Sequence, residues 1–562
     1  MLLCPPIGHE YMCGHRAFRR LSAKLASIGF SVLRFDYPGT GDSGDPESLD
    51  SFLPAWKESV HVAADELRRL SGCDTLAMVG LRLGAALASA AARTRSDVES
   101  LVMWSPVLDG RSFVRQARML SLASSERPGD LVTERDGLES AGFFLNAATV
   151  NDIASLSLSD VAGIAPKHAL IYSRNDAPAD GRIADLLAGT NAKCDEWVYE
   201  KHSTFLVSPL RSVLPTAAIG TIADWLDQRH PPVARKVARA AGAAVAHPAR
   251  VTLPCGVYES AVSFAEGRLN GILVEPAAQT SNPAVVLLNT GADHHVGPHR
   301  MFVPLAREWA KLGFPVLRFD LAGIGDSETS DTPERVETYP QSAVQDVRAA
   351  ISFMQQGRGY RTVVLAGICS GGFHAIHAAE PGVAGVIAVN APLYHKPGDP
   401  VEEDSYAYQT ESQRVTRALI SPAKWRRLIT GKVDMRDTIR ILKGRTTLAT
   451  SAFLARVRRP MSNDQERADP ADVFHDTVPV HLIFSGRDAA LTYYDQCIAR
   501  GGRRRVGAPG STVDVVADAD HTFMPRKWQQ ALAEIMTERL LLYQAARPTT
   551  PSRAVRESVA RI

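Results

Sequence analysis

Three residues in the second half of the chain have the types and order that nucleophilic acyl chemistry needs. The first stands in Gly367-Ile368-Cys369-Ser370-Gly371-Gly372, directly after the apolar run "RTVVLAG" and just before the helical run "FHAIHAAE". A nucleophile presented between a strand and a helix sits on a turn so tight that the residues two before and two after it must be small. Gly367 and Gly371 meet that need for Cys369. For Ser370 the earlier position would be Ile368, whose branched side chain would crowd the turn, so the glycines select the thiol. Downstream, "LIFSGRDAAL" puts Asp488 just past a strand, and "VVADADHTFM" puts His521 just past the last one. A thiol needs a base, and the base an acid to orient it. His521 and Asp488 are the candidates, against the plainer readings of a buried structural cysteine and a turn-capping aspartate.

Attack on a carbonyl also needs backbone N–H groups aimed at the developing negative charge. One is expected from Ser370, the residue after the nucleophile. The other should come from Thr290-Gly291-Ala292, after the strand "VVLLNT", with Ala292 as donor. Asp293, His294, His295 and His299 share that loop. The histidine pair invites a metal, but no third ligand has matching spacing; the expectation is no metal, and loop polarity or substrate contact instead. His374 and His377, one turn apart on the following helix, read as packing residues.

The elements that must position these groups occur twice. "HRAFRRLSAKLASIGFSVLRFDYPGTGDS" near the start is matched by "HRMFVPLAREWAKLGFPVLRFDLAGIGDS", with His15, Asp36 and Ser43 at one constant offset from His299, Asp320 and Ser327. Asp36 and Asp42 recur as Asp320 and Asp326, so these acids read as turn structure. Apolar strands alternate with helices in both halves, which predicts an α/β fold: two tandem domains, each a mostly parallel sheet flanked by helices. Residues 1–228 form the first, 229–254 a basic, Ala/Pro-rich linker, 255–545 the second, and 546–562 a flexible basic tail. The second opens with an antiparallel pair, "GVYESAVSF" and "RLNGILVEP". The first lacks it, because Met1 falls at the strand corresponding to "VVLLNT"; its start reads as truncated, or its sheet edge as shortened. An insertion at about 394–478 is expected to be a helical cap over the pocket. Its basic middle suits either an anionic group, such as a phosphopantetheine carrier or a carboxylate, or a solvated helical face.

The first half keeps the acid and base places, with Asp176 matching Asp488 and His202 matching His521. At the apex, however, "GLRLGA" puts Arg82 where "GICSGG" puts Cys369. Arginine is no nucleophile. It reads either as an anion contact in an old pocket or, preferably, as part of a decayed, inactive copy kept as a packing partner for the second domain.

With 45% hydrophobic and 22% charged residues the chain has ordinary globular composition, and a net charge of +2 gives no field arguing for nucleic acid or membrane. Seven cysteines without paired spacing suggest reduced thiols and a cytoplasmic setting. No apolar run approaches a membrane span, the first residues do not resemble a signal peptide, and no cofactor is implied.

Over almost the whole chain, twice, these motifs resemble the α/β-hydrolase superfamily. The order nucleophile, acid, histidine is that superfamily's. The cysteine at the apex resembles dienelactone hydrolases and the cysteine-dependent bile-acid N-acyltransferases. The tandem arrangement and "HRAFRRLSAKL" resemble serine-aminopeptidase-type hydrolases associated with bacterial exosortase loci. The departure is Cys369 where most relatives carry serine. The resemblance implies a hydrolase for an ester or thioester of a small-molecule or carrier-bound acyl group, working through an acyl-enzyme. The alternatives are an acyltransferase using the same cysteine, and a non-catalytic binding or scaffold protein.

Overall fold

The computed structural model describes residues 1–45, 49–107, 109–124, 137–157, 164, 166–175, 192–200, 202–230, 250–327, 336–393, 395, 474, 476–486, 488–499 and 507–544. Residues 1–397 and 473–562 make one compact unit and 398–472 a second. The second unit, and with it nearly all of the expected cap, lies outside the described residues, as do Asp176, most of the linker and the tail.

In the first half the order is β1 (Leu2–Cys4), α1 (Gly8–Ser27), β2 (Leu33–Arg34), α2 (Phe52–Ser71), β3 (Leu76–Leu81), α3 (Leu83–Thr94) and β4 (Val98–Trp104). There follow α4 (Gly110–Ser124), a hairpin of β5 (Gly137–Ser140) and β6 (Phe143–Asn146), α5 (Ala147–Ser155), β7 (His168–Arg174), β8 (Lys193–Tyr199) and α6 (Thr216–Arg229). The second half runs β9 (Arg250–Thr252), β10 (Tyr258–Phe264), β11 (Leu269–Glu275), β12 (Ala284–Leu288), α7 (Phe302–Lys311), β13 (Val316–Phe319) and α8 (Ser342–Ser352). It continues with β14 (Val363–Ile368), α9 (Ser370–Ala378), β15 (Val383–Val389), β16 (Val480–Ser485), α10 (Ala489–Tyr493), β17 (Thr512–Val516) and α11 (Arg526–Leu541).

Apart from the β5–β6 hairpin, these strands build two sheets with one plan. The first has the order β2-β1-β3-β4-β7-β8, every pair parallel. The second repeats it as β13-β12-β14-β15-β16-β17 and adds β11-β10-β9 at the β13 edge, with β11 antiparallel to both its neighbours. Even an irregularity recurs: the register slips at Leu76/Ala77 in the first sheet and at Val363/Val364 in the second. Strands buried on both faces explain the unbroken apolar runs. Along β12, Ala284, Val286 and Leu288 join the core on one face while Val285 and Leu287 join that on the other. Two points differ from the sequence expectation. Arg250–Thr252, placed in the linker, forms a ninth strand on β10, and the β5–β6 hairpin in the first half had not been foreseen. Among the described residues no helix is long and apolar enough to cross a membrane.

The halves meet through the repeated turns themselves. Arg318 donates to Asp42 at 2.7 Å and Arg34 to Asp326 at 2.5 Å. Arg34 corresponds to Arg318 and Asp42 to Asp326, so one contact is made twice in opposite senses, as across the isologous interface of a dimer. Around it, Arg307 bridges Glu259 to Asp45 and to the carbonyls of Asp42 and Ser43. Tyr11, Met12, Val296 and Val303 pack beside these pairs, with Phe143 against them.

Candidate active site

The apex of the turn between β14 and α9 is Cys369, at φ 55 and ψ −118. A non-glycine residue held there is strained by about 1–3 kcal/mol, and the surroundings must impose it. They do so through the glycines. A Cβ on Gly367 would come within 2.4 Å of the Gly371 carbonyl carbon, and one on Gly371 within 2.6 Å of Leu288 O. The turn brings Cys369 close enough to His521 to act on the charge of its ring. His521 Nδ1–H donates to Asp488 Oδ2. Asp488 serves two elements at once, because its Oδ1 also accepts the Ala490 N–H and caps α10. Burial acts to lower the imidazole pKa of His521, but the negative charges of Cys369 and Asp488 outweigh it and hold that pKa well above the usual histidine range.

Ser370 is buried, and its hydroxyl accepts the Gly291 N–H at 2.7 Å. This ties the start of α9 to the loop after β12. The Asp293 N–H is taken by Thr290 O, so the Ala292 N–H lies between two committed donors. The Ser370 N–H opens α9, where no intrahelical acceptor exists. Asn289 shapes the same loop: its amide donates to Asp293 O and Asp320 Oδ1, and its oxygen accepts from Leu321 N. One contributor had not been foreseen. Asn390, fully buried at φ 46 at the end of β15, donates to His521 O at 2.7 Å and to Ser485 Oγ, and accepts from Ser485 N. It clamps together the loops that carry the acid and the histidine. The available signal was a polar residue directly after a buried strand, a place where asparagine tolerates positive φ.

The first half reproduces the turn with an arginine at its apex. Arg82 has φ 55 and ψ −121. Here too the flanking glycines are obligatory, since a Cβ on Gly80 would meet Ala85 Cα at 2.4 Å and one on Gly84 would meet Cys4 O at 2.3 Å. The Arg82 guanidinium turns inward and donates to Glu10 Oε1 at 2.7 Å, Gln116 Oε1 at 3.0 Å and Ser105 O at 3.3 Å. Glu10 is thus the anionic partner of Arg82 among the described residues. His202 is buried and faces Ser105 Oγ at 3.3 Å.

Residues 285–535 match the model of the alpha/beta hydrolase family. The second half has the α/β-hydrolase fold. No curated protein matches the chain. Among solved structures, a dienelactone hydrolase from Anabaena variabilis is similar at 14% identity and TM-score 0.32, covering 53% of this chain and 100% of that one. An esterase of Pyrococcus furiosus is similar at 15% and 0.34, over 53% and 98%. An alpha-beta serine hydrolase homologue from Coxiella burnetii gives 13% and 0.31, over 50% and 96%.

The histidines after Ala292 in the hydrolase half face the first half. His294 stacks on His15 with ring centroids 3.9 Å apart, and burial pushes its pKa down to about 4. His295 donates from Nδ1 to Asp320 and from Nε2 to Asp42, both at 2.7 Å. Burial opposes its protonation, but Asp42 and Asp320 hold its pKa well above the usual range. The fold also brings Asp326 to His295 and Asp320, with ligand-type atoms within 4.8 Å of one another. That is the third group which spacing alone did not reveal. These atoms are engaged with one another and with Arg34 and Asp42 as a buried charge network. Asp320 and Asp326 serve their turn as expected, the first accepting the N–H of the second. His374 and His377 hydrogen-bond Thr338 O and Phe373 O, as packing residues do.

Proposed function

We propose that the hydrolase half cleaves an ester or thioester through Cys369, His521 and Asp488. The observation that carries this reading is the strained apex at Cys369 beside His521, whose Nδ1–H is hydrogen-bonded to Asp488. Cys369 Sγ attacks the acyl carbonyl carbon as His521 takes its proton. The oxyanion is received by the Ala292 and Ser370 N–H groups. Collapse of the tetrahedral adduct breaks the bond to the alcohol or thiol, which leaves with the proton from His521. Water then attacks the acyl-cysteine, His521 takes a proton from it, and the acid departs as Cys369 is freed. Asp488 holds the ring orientation and balances its charge throughout.

The tandem organisation belongs to the same proposal. Residues 1–228 form an inactive copy in which Arg82 replaces the nucleophile, and residues 255–545 form the catalytic domain. The substrate is a small-molecule or carrier-bound acyl group. The test is intact mass after incubating wild type, Cys369→Ala and Ser370→Ala with a panel of activated esters and acyl thioesters. An acyl adduct on wild type and Ser370→Ala, absent from Cys369→Ala, is expected. An adduct that survives Cys369→Ala overturns the assignment. Decay of the adduct in water, compared with decay in added amines or alcohols, separates hydrolysis from transfer.

A further inference from the structure

One short hairpin of the first half lies against the part of the hydrolase half that carries His521. Strands β5 and β6 turn through Ala141 at φ 47 and Gly142 at φ 80. The carbonyls of these two residues accept from the hydrolase half. His299 Nδ1–H donates to Ala141 O at 2.9 Å, and Gln529 Nε2 donates to Gly142 O at 2.9 Å and to Met524 O at 2.7 Å. With its Nδ1 proton so used, His299 presents Nε2 as an acceptor, 3.5 Å from Thr522 Oγ1. Thr522 follows His521 directly, and the N–H groups of Thr522 and Met524 share Asp520 Oδ1. Two side chains thus join the hairpin to the loop that holds the proposed base.

The fit is close. A Cβ on Gly142 would lie 2.3 Å from His299 Nδ1. Burial pushes the His299 pKa down to about 4, so at neutral pH the ring has one donor and one acceptor, matching the carbonyl on one side and the hydroxyl on the other. Nearby, the Arg526 N–H donates to Glu139 Oε1 at 2.8 Å and the Arg526 guanidinium lies 5.0 Å over the Phe144 ring. His299 also stands at the far end of the loop that begins with Ala292, and Arg300 beside it donates to Gly41 O and Ser43 O.

We propose that the β5–β6 hairpin of the catalytically silent half positions the active site of the other: through His299 and Gln529 it sets where His521 stands relative to Cys369. His299 and Gln529 are positioning residues on this view, and the first half is retained because the site is incomplete without it. The inference rests on the Cys369–His521 reading. A displacement of about 1 Å between such groups can cost about 10²-fold in rate, so a modest slip of the loop is measurable.

The test uses the full chain and iodoacetamide, which reads thiol reactivity without requiring turnover. Alkylation of Cys369 is followed by peptide mass mapping from pH 5 to 9 in wild type, His299→Ala, Gln529→Ala, Gly142→Ala and the Gly142→Ala/His299→Ala double variant. His299→Ala and Gly142→Ala are expected to slow alkylation at pH 6–7 by at least about tenfold, and Gln529→Ala by less. The difference should close towards about pH 8.5, where an unassisted thiol ionises. Removing the ring removes the clash, so the double variant should react no more slowly than His299→Ala alone. His299→Asn, which keeps a donor for Ala141 O, should recover part of the rate. If Gly142→Ala does not fold, the His299 and Gln529 variants decide. Wild-type profiles in both, or an equal loss at every pH, overturn the proposal. If wild type forms no acyl adduct while these profiles still shift, the acyl-transfer reading fails and the positioning stands.

Discussion

The turn at Arg82 and the turn at Cys369 share a backbone and differ in what stands on it. Their apex angles agree to within a few degrees, φ 55 and ψ −121 against φ 55 and ψ −118. In both, the glycines before and after the apex sit against backbone atoms that leave no room for a Cβ. The turn geometry is therefore set by the glycines and by strand–helix packing, not by the apex side chain. The apex residue decides what the turn does. At Cys369 the side chain meets His521, while at Arg82 it turns to Glu10, Gln116 and Ser105 O and is neutralised within the protein. A strained turn is thus evidence of descent and packing, and becomes evidence of chemistry only with a reactive group on it and a base beside it.

The comparison is broken most directly at the apex. Cys369→Ala should lower acyl-adduct formation by at least about 10³-fold with the fold intact, whereas Arg82→Ala should leave acylation in place and instead lower stability by stranding Glu10; intact mass and a thermal melt read the two effects.

The reciprocal ion pairs between the halves should be unequal despite their symmetry. Arg318 is fully buried and Arg34 is 29% exposed. Arg318→Met should cost about 3–5 kcal/mol because Asp42 and Glu259 lose a buried partner, and Arg34→Met about 1 kcal/mol or less. Denaturant titration of the two variants checks this, and equal losses would mean that burial does not separate them.

Gly80→Ala and Gly367→Ala should each cost about 3 kcal/mol through the backbone contacts their methyl groups would make. Only the second should also reduce acylation per folded molecule. Loss of acylation in Gly80→Ala at matched folded fraction would show that the two turns are coupled.

The smallest difference concerns the residues that follow β4 in the first half and β15 in the second. Asn390→Ala should cost about 1–3 kcal/mol from the buried groups it leaves unpaired and slow acylation about tenfold, since it releases His521 O. Ser105→Ala, at the corresponding place beside His202, should change acylation little. Comparing kcat with KM for the Asn390 variant distinguishes displacement of the base from weaker substrate binding.

The candidate site was largely legible in order. Each of Cys369, Asp488 and His521 follows a buried strand, and local rules about small residues around a tight turn and polar residues after strands act over a few positions. The same applies to the α/β class of the fold, because unbroken apolar runs alternating with helical ones leave few other solutions. Asn390 was missed because a single polar residue after a strand has many ordinary explanations. The hairpin at Gly137–Asn146 was missed because its stability depends on what it docks against.

The amino-acid sequence by itself determined the two repeated sheets, the two glycine-framed turns, and the exchange of cysteine for arginine between them. Those features depend on side-chain size, periodicity and identity, which are written locally. Only the tertiary structure decided that the histidines after Ala292 belong to the contact between the halves, and that Arg82 is satisfied from Glu10. It alone brought His299 and Gln529 to a hairpin of the other half. Those are contacts between residues far apart in the chain, and no local pattern specifies which carbonyl or carboxylate a buried side chain will meet once two cores close against each other.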